Sequence, residues 1–300
     1  MKLGELLYYF KYGFSVLLLR RRAPIVAGVP LTDVCNLKCV HCVVANKGRG
    51  PYSFGRLMEI FKMFHDRGAR ILYLQGGEIM TWSDKGLNVN DVINAAREMG
   101  FFRIAVVTNG TFPIEIASDA VWVSLDGPEK YHDEIRGKGV FAAVMENIRK
   151  SAHPNISVNL TLNKKNWHGA EDLIKSISSE KNICGISVNF HTPYPGVEEL
   201  ALDIEERREA LLNIIRMKKL GYKVINSIYG LKALMTGRYK RPVHIIQMME
   251  QDRVFECCWG REIPGVCEKC GYGIIPELSG IQALDPAAIF SALNLFKAAR

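Results

Sequence analysis

The amino-acid sequence predicts an α/β fold: a partial, TIM-like (β/α)6 barrel with an N-terminal helix and a small cysteine-containing C-terminal extension. From residue 24 onward, short runs rich in β-branched residues alternate with segments of helical periodicity. This alternation is typical of parallel strands joined by right-handed helical crossovers. Six such units are fewer than the eight that close a full barrel, so we expect an open barrel.

Hydrophobic residues make up 48% of the 300 residues, which is enough for a substantial core. Strands are predicted at 25–31, 71–74, 104–107, 121–125, 156–162 and 185–190. Helices are predicted at 54–67, 89–98, 139–151 and 170–178, and a long charged helix at 204–220 follows the last strand. Because ligands of parallel β/α folds bind at the carboxyl ends of the strands, we expect the functional residues in the loops that follow them.

We divide the chain into an N-terminal amphipathic helix (1–24), the partial barrel (25–225) and the C-terminal extension (226–300). Residues 3–19 are strongly apolar and precede three arginines, Arg20, Arg21 and Arg22. The segment is short of the roughly 20 apolar residues of a spanning helix, and it lacks the features of a cleavable signal peptide. An apolar, aromatic-rich face beside an arginine cluster is typical of a helix at a membrane surface. The alternative is a helix packed across one end of the domain.

The chain is basic, with a formal net charge of +8. A basic balance favours anionic partners such as phospholipid head groups, nucleic acid or phosphorylated substrates. The Lys and Arg residues are mostly scattered, and aromatic residues are not interleaved with basic stripes as they are in nucleic-acid-binding proteins. We therefore expect no nucleic-acid partner.

Seven of the eight cysteines fall into two tight groups, and Cys184 stands alone in an apolar strand pattern that predicts a buried side chain. Disulfide frameworks are typical of short secreted chains. Clustered cysteines in a long chain without a signal peptide indicate metal binding in a reducing compartment. We expect a cytoplasmic protein, with the N-terminal helix as the place of any peripheral membrane contact.

Cys35, Cys39 and Cys42 form a C-x3-C-x2-C triplet directly after the first predicted strand. Three thiolates on one short loop can ligate three irons of a [4Fe–4S] cluster and leave the fourth iron free for a small molecule. A structural zinc site needs four ligands, and His41 is badly placed to be the fourth. The alternatives are structural zinc and a simple electron carrier.

Around this triplet the sequence resembles the radical S-adenosylmethionine (radical SAM) superfamily over about residues 28–225. The hallmark of that family is C-x3-C-x-aromatic-C, and His41 occupies the aromatic position. Ile79 stands where the family usually has a proline. Three further motifs lie at predicted strand ends: Q-G-G-E at 75–78, V-T-N-G at 107–110 and S-L-D-G at 124–127. The last is followed by H-D-E-I-R-G at 132–137.

The resemblance implies an enzyme that uses a [4Fe–4S] cluster to cleave S-adenosylmethionine reductively. The resulting 5′-deoxyadenosyl radical would abstract hydrogen from a substrate or add to it, and an electron donor such as flavodoxin or ferredoxin would supply the electron. Glu78 would pair with the ammonium of the methionine moiety, Asp126 would contact the ribose or act as a turn residue, and the loop from His191 would touch adenine or substrate. The implied S-adenosylmethionine contacts are Gly76, Gly77, Glu78, Asn109, Ser124, Asp126 and Asn159.

The second cysteine group consists of Cys257, Cys258, Cys267 and Cys270. Four thiolates this close together can close a second [4Fe–4S] cluster or a tetrahedral zinc site. Unligated thiols are the third alternative. Many radical SAM enzymes that modify peptides carry auxiliary clusters in a cysteine-rich C-terminal extension, which this segment resembles loosely.

Two kinds of substrate fit these features. The apolar N-terminus, the arginines and the basic charge favour a membrane lipid or isoprenoid, and the order of segments resembles the hopanoid-type adenosyltransferases. The second cysteine group favours a peptide or protein. A non-catalytic iron–sulfur carrier or zinc-stabilised binding protein is the alternative of another class, but it would not need the G-G-E motif.

Overall fold

The computed structural model describes residues 3–17 and 21–297, and an eight-stranded sheet lies at its centre. The strands are β1 (Val26–Pro30), β2 (Ile71–Gln75), β3 (Arg103–Thr108), β4 (Ala120–Ser124), β5 (Ile156–Leu162), β6 (Ile183–Phe190), β7 (Ile246–Glu250) and β8 (Arg253–Glu256). Their order is β6-β5-β4-β3-β2-β1-β7-β8. All neighbouring pairs are parallel except β7 and β8. The predicted six-stranded parallel sheet and open barrel are confirmed.

Helices cover the outer face of this sheet and join its strands. They are α1 (Leu3–Leu17), α2 (Phe54–Asp66), α3 (Val89–Glu98), α4 (Glu129–Arg136), α5 (Val140–Lys150), α6 (Ala170–Ser178), α7 (Ile204–Lys219), α8 (Ile228–Thr236), α9 (Ile274–Gln282) and α10 (Pro286–Lys297). The predicted barrel helices lie within one residue of the observed bounds. The sequence patterns did not predict the short polar helix α4 or the helices of the C-terminal extension.

The inner strands alternate between two environments. In β2, Leu72 and Leu74 are fully buried against the helices. Ile71, Tyr73 and Gln75 point the other way and line a cavity inside the barrel. Because successive side chains of a strand point to opposite faces, one face supplies the core and the other supplies the ligand cavity.

The C-terminal extension reaches both edges of the parallel sheet. At one edge β7 pairs in parallel with β1, with Val26 opposite Ile246, and β8 folds back on β7. At the other edge the Phe190 N–H at the end of β6 donates to the carbonyl of Gly271 at 2.8 Å. The segment that carries the second cysteine group therefore spans the open side of the barrel.

Helix α1 packs across the amino ends of the strands. The Tyr8 hydroxyl donates to the carbonyl of Gly68, and Glu5 forms an ion pair with Arg103 at 3.2 Å. Its other face carries an apolar stripe, of which every member is at least half exposed: Leu3, Leu6, Leu7, Phe10 and Phe14. Arg20 lies outside the described residues. No helix in the described ranges has both the length and the apolar character needed to cross a bilayer.

The predicted burial of Cys184 is wrong, because its side chain is exposed. The register between β5 and β6 pairs Ile156 with Ile183 and Ser157 with Gly185. Cys184 is therefore the extra residue of a β-bulge on the edge strand. A bulged residue is unpaired and can turn out of the sheet, which an apolar strand pattern does not reveal.

Candidate functional site

A cavity of about 1060 Å³ runs along the inside of the barrel. Its wall includes Cys42, on the loop that follows β1, and Cys257, whose N–H donates to the carbonyl of Ile246 in β7 at 2.8 Å. At the amino ends it is lined by Tyr9 and Tyr12 of α1. Residues of both cysteine groups therefore line one cavity, and the triplet loop follows β1 at the carboxyl end of the barrel, where parallel β/α folds bind their ligands.

The triplet lies on the loop between β1 and α2, and two side chains hold that loop in shape. The buried Asp33 carboxylate accepts backbone N–H groups of Lys47, Arg49 and Gly50, at 2.7 to 3.0 Å. Burial acts to raise the pKa of Asp33, but these N–H groups together lower it. Asn46 accepts the Cys35 N–H at 2.9 Å. The loop is thus fixed by its own residues.

Each thiol of the triplet is partly buried and faces at least one N–H donor. Burial raises the pKa of Cys39 to about 11, whereas Arg136 acts to lower it. Such N–H···S contacts stabilise thiolate ligands and tune the metal group they hold. The donors are Leu37 N at 3.4 Å and Asn109 Nδ2 at 3.7 Å to Cys35, Arg136 Nη1 at 3.9 Å to Cys39, and Ala45 N at 3.4 Å to Cys42.

The two glycines after β2 let that loop lie against the triplet loop. A Cβ on Gly76, whose φ is 146°, would lie 2.2 Å from the Thr32 carbonyl oxygen, and one on Gly77 would lie 2.2 Å from that of Val34. The N–H groups of Gly77 and Glu78 donate to the same two carbonyls at 2.8 Å. The glycines therefore serve the contact between the two loops.

Glu78 joins the loops that follow β2 and β3. Its fully buried carboxylate accepts the Thr108 hydroxyl at 2.7 Å, the Asn109 N–H at 2.6 Å and the Met80 N–H at 3.1 Å. Burial raises the pKa of Glu78, and these donors oppose that rise. Glu78, which the resemblance predicts to pair with the ammonium of the methionine moiety, therefore accepts three hydrogen bonds from the protein itself.

Asn109 reaches toward the triplet, whereas Ser124 and Asn159 face the cavity. The side-chain amide of Asn109 donates to Asn36 Oδ1 at 2.8 Å in addition to its contact with Cys35. Ser124 and Asn159 are opposite each other in the register of β4 and β5, and both line the cavity. These two polar side chains are placed to hydrogen-bond a ligand.

Asp126 is fully buried and bound by groups of the protein itself. Its Oδ2 accepts Arg136 Nε at 2.6 Å, and its Oδ1 accepts the Thr161 N–H at 3.1 Å. Burial acts to raise the pKa of Asp126, but Arg136 is the main group that lowers it below its usual range. The ribose contact that the resemblance implies is thus not open to this carboxylate as it is placed here.

Two histidines meet beside the triplet. His41 and His191 both line the cavity, with ring centroids 6.4 Å apart. His191 Nε2 lies 2.8 Å from the Val197 carbonyl oxygen. Among the described residues, buried His41 Nδ1 has no hydrogen-bond partner, and burial lowers the pKa of this imidazole to about 4. The His41 ring that lines the cavity is therefore neutral, and its Nδ1 is buried without a partner among the described residues.

The second cysteine group is assembled from two segments. Cys257 and Cys258 follow β8, and Cys267 and Cys270 form a turn in which the Cys270 N–H donates to the Cys267 carbonyl at 3.2 Å. The hydrogen bond from Cys257 lowers the pKa of the Cys258 thiol below its usual value. Across the described residues, no three His, Cys, Asp or Glu side chains are placed to share a single metal ion.

Aromatic and basic residues support this second group, a role that the sequence patterns did not predict for them. Tyr194 stacks on Trp259 with centroids 4.6 Å apart, and its hydroxyl donates to Cys258 Sγ at 3.6 Å. The buried Arg207 donates to the carbonyls of Lys269 and Cys270 at 3.2 and 3.5 Å. No spacing rule could have found them, because their partners are about 60 residues away in the sequence.

The chain matches the sequence profile of the Radical SAM superfamily over residues 29–177. It is a radical SAM protein. Members of this superfamily are enzymes that use a [4Fe–4S] cluster and S-adenosylmethionine. The expectations for the family, for the fold class and for a [4Fe–4S] cluster and S-adenosylmethionine as cofactors are therefore confirmed.

Similar proteins act on different substrates. Fe-coproporphyrin III synthase of Methanosarcina barkeri is 30% identical over 215 residues, which cover 64% of this chain and 51% of that protein. Antilisterial bacteriocin subtilosin biosynthesis protein AlbA of Bacillus subtilis is 28% identical over 169 residues, covering 51% of this chain and 37% of AlbA. The chain thus spans about half or less of the length of these curated relatives.

A solved structure shares the radical SAM fold along nearly the whole chain. SuiB of Streptococcus suis, bound to its precursor peptide SuiA, superposes with a TM-score of 0.63 at 14% identity. The match covers 95% of this chain and 70% of SuiB. The similarity therefore includes the region of the C-terminal extension as well as the barrel.

The residues of the triplet fit an iron–sulfur cluster. The donor set is three thiols on one loop, which suits iron–sulfur chemistry, whereas a structural zinc site closes with four ligands. The N–H donors around the thiols supply the hydrogen bonds that such clusters use. A [4Fe–4S] cluster held by these three thiolates would keep one iron without a protein ligand, as radical SAM chemistry needs.

Proposed function

We propose that this radical SAM protein cleaves S-adenosylmethionine reductively at a [4Fe–4S] cluster held by Cys35, Cys39 and Cys42. One observation carries the proposal: the loops after β1, β2 and β3 are hydrogen-bonded to one another at the carboxyl end of the barrel. When bound, the reduced cluster supplies the electron that breaks the sulfonium S–C5′ bond, giving methionine and the 5′-deoxyadenosyl radical.

The protein's own residues would position S-adenosylmethionine and shield it from water. Ser124 and Asn159 would hydrogen-bond its ribose from the cavity wall, and Gly76, which also lines the cavity, would border its methionine moiety. In this arrangement Glu78 and Asn109 fix the loops rather than the ligand. The surrounding barrel limits side reactions with water.

The test is product formation by anaerobically reconstituted protein. With dithionite as reductant, the wild type should form 5′-deoxyadenosine and methionine, and a Cys35→Ala/Cys39→Ala/Cys42→Ala variant should form neither. Cys184→Ala is the matched control, since that exposed thiol lies on the bulge of β6. Activity that survives the triple substitution would contradict the proposal.

The electron donor that we propose is an acidic redox protein such as flavodoxin or ferredoxin. Val34 and Val40 are exposed beside the triplet, at 44% and 46%. The side chains of Lys38 and Lys47 are exposed on the same loop. An apolar surface with lysines around it complements an acidic partner and speeds its encounter. Lys38→Glu/Lys47→Glu should slow reduction by flavodoxin but leave reduction by dithionite unchanged.

For the substrate we propose a membrane lipid or isoprenoid, reached by peripheral contact from the cytoplasm. The apolar stripe of α1 supports this proposal, because its neighbours include basic side chains such as Lys11 and Arg21. A helix of this kind binds membranes through its apolar area and its attraction to anionic lipids. The free cysteines support a reducing compartment.

The membrane contact is tested by flotation with vesicles that contain anionic phospholipid. Leu7→Glu/Phe10→Glu should abolish flotation. The control is Leu212→Glu/Leu220→Glu, which changes two exposed leucines of the α7 region instead. Equal flotation of both variants would contradict membrane contact through α1.

A peptide or protein substrate is the second candidate. Its support is the second cysteine group, of which Cys257 and Cys258 line the same cavity as Cys42 of the triplet, together with the precursor peptide bound by SuiB. We propose a second [4Fe–4S] cluster there, with zinc as the alternative metal.

Iron, sulfide and zinc analysis of the triplet variant identifies the metal. Stimulation of S-adenosylmethionine cleavage by lipid or by peptide separates the two substrates.

A further inference from the structure

We propose that Arg136 is a positioning residue that sets the reduction potential of the cluster, by holding a buried positive charge against Cys39. This inference rests on the proposed cluster at the triplet. Arg136 ends helix α4 and belongs to the H-D-E-I-R-G segment, for which the sequence offered no role. Its Nη1 lies 3.9 Å from Cys39 Sγ, and its side chain is only 9% exposed.

Asp126 fixes the guanidinium in place. Arg136 Nε donates to the fully buried Asp126 carboxylate at 2.6 Å. Asp126 is itself held by the Thr161 N–H and by its own N–H, which donates to His132 Nδ1 at 3.0 Å. The Asn166 side-chain amide donates to the Asp126 carbonyl at 2.6 Å. The charge beside Cys39 therefore has one defined position.

Charge at this position acts on the cluster because reduction adds one negative charge to it. A nearby buried cation stabilises the reduced form, and a nearby anion opposes it. Among the described residues, the donors to Cys35 and Cys42 are neutral N–H groups, whereas Cys39 faces a full positive charge. Cys39 is therefore the thiol through which charge tunes the potential.

Asp126 counteracts Arg136 but does not cancel it. Arg136 Nη1 lies 3.9 Å from Cys39 Sγ, and the Asp126 carboxylate accepts Nε of the same guanidinium. The guanidinium is in contact with the thiol, whereas the carboxylate lies behind the guanidinium. We therefore expect opposite shifts in potential when either charge is removed.

The experiment is a potentiometric titration followed by electron paramagnetic resonance, using the signal that disappears in the Cys35→Ala/Cys39→Ala/Cys42→Ala variant. Arg136→Gln should lower the ratio of reduced to oxidised cluster at a fixed potential by about tenfold, which is about 59 mV for one electron. Asp126→Asn should raise that ratio. Arg136→Gln/Asp126→Asn removes both charges and should return the potential close to that of the wild type.

The control is Arg97→Gln, which breaks an arginine–aspartate pair with Asp119 before β4, at the amino end of the barrel. It should leave the potential unchanged. Arg136→Gln leaves a buried carboxylate without its partner and can destabilise the fold. Asp126→Asn then still tests the inference, because a purely structural role gives no reason for an upward shift.

The outcomes separate this inference from the proposed function. A triplet-dependent signal whose potential is the same in Arg136→Gln, Asp126→Asn and the wild type would overturn the inference alone. A double variant that keeps the low potential of Arg136→Gln would also overturn it, since loss of structure would then explain the shift. A wild-type protein with no triplet-dependent signal would overturn both.

Discussion

The two cysteine groups open onto the same cavity but are built in different ways. The triplet lies within eight residues of one loop, and Asp33 and Asn46 of that same loop hold it in shape. The second group combines a pair after β8 with a turn held by Arg207 and by the end of β6. One site is encoded locally, and the other depends on how the C-terminal extension docks.

This difference in construction points to different roles for the two cysteine groups, one in the radical step and the other in the choice of substrate. A locally encoded loop can keep its ligand geometry while the rest of the chain changes. A site formed across the open side of the barrel changes whenever the extension changes. We infer that the triplet provides the common radical step and that the second group belongs to the part of the cavity that selects the substrate.

The largest predicted effect comes from removing one ligand from each group. Cys39→Ala should lower 5′-deoxyadenosine formation by more than about 100-fold, beyond the range typical of residues that only support a metal ligand. Cys267→Ala should leave this uncoupled cleavage within a few-fold of the wild type while lowering iron content. The measurement is 5′-deoxyadenosine by chromatography beside iron analysis. Equal loss of cleavage in both variants would contradict the division of roles.

The contrast between local and long-range contacts also explains which regions could be predicted from the sequence. The strands and barrel helices were predictable because their apolar periodicity is local. Strands β7 and β8 were not, since β7 pairs with β1 about 220 residues earlier in the sequence. The triplet was found from its spacing alone. The role of Glu78 in joining two loops depends on Thr108 and Asn109, which lie about 30 residues away and form no pattern with it.

The second-largest predicted effect tests the contact between the loop that follows β1 and the loop that follows β2. Gly77→Ala places a Cβ against the Val34 carbonyl, where backbone rather than a flexible side chain must move. We expect a loss of about 3 kcal/mol in the free energy of unfolding, typical of overpacking in a buried contact. Gly55→Ala is the control, because it adds a methyl group to open space in α2 and should stabilise slightly. Urea unfolding of the apoprotein measures both, and equal stability of the two variants would contradict the proposed contact.

A smaller effect tests the docked group. Arg207→Ala removes the donor to the carbonyls of Lys269 and Cys270 and the contact of its guanidinium with the Phe190 ring, 4.9 Å away. We expect a loss of about 2 kcal/mol. The iron of the second group should fall while triplet-dependent cleavage of S-adenosylmethionine persists. Arg208→Ala, the next residue on α7, is the matched control. Loss of the triplet signal in Arg207→Ala would show that the two groups are not independent.

The smallest effect depends on pH and tests how the triplet loop is held. The N–H groups around Asp33 keep the pKa of its carboxyl below that of an unfolded chain. The stabilisation is therefore fully present above the unfolded pKa of about 3.9, and it is lost as the pH falls through the folded pKa. Asp33→Asn should cost about 1 kcal/mol at pH 7.

This difference between Asp33→Asn and the wild type should shrink toward zero in acid, because the wild-type carboxyl then becomes neutral as well. Asp172→Asn, at an exposed position of α6, serves as the control and should match the wild type at both pH values. Urea unfolding of the apoprotein at pH 7 and near pH 3 provides the comparison. A difference of the same size at both pH values would mean that the shape of the Asp33 side chain, rather than its charge, holds the loop.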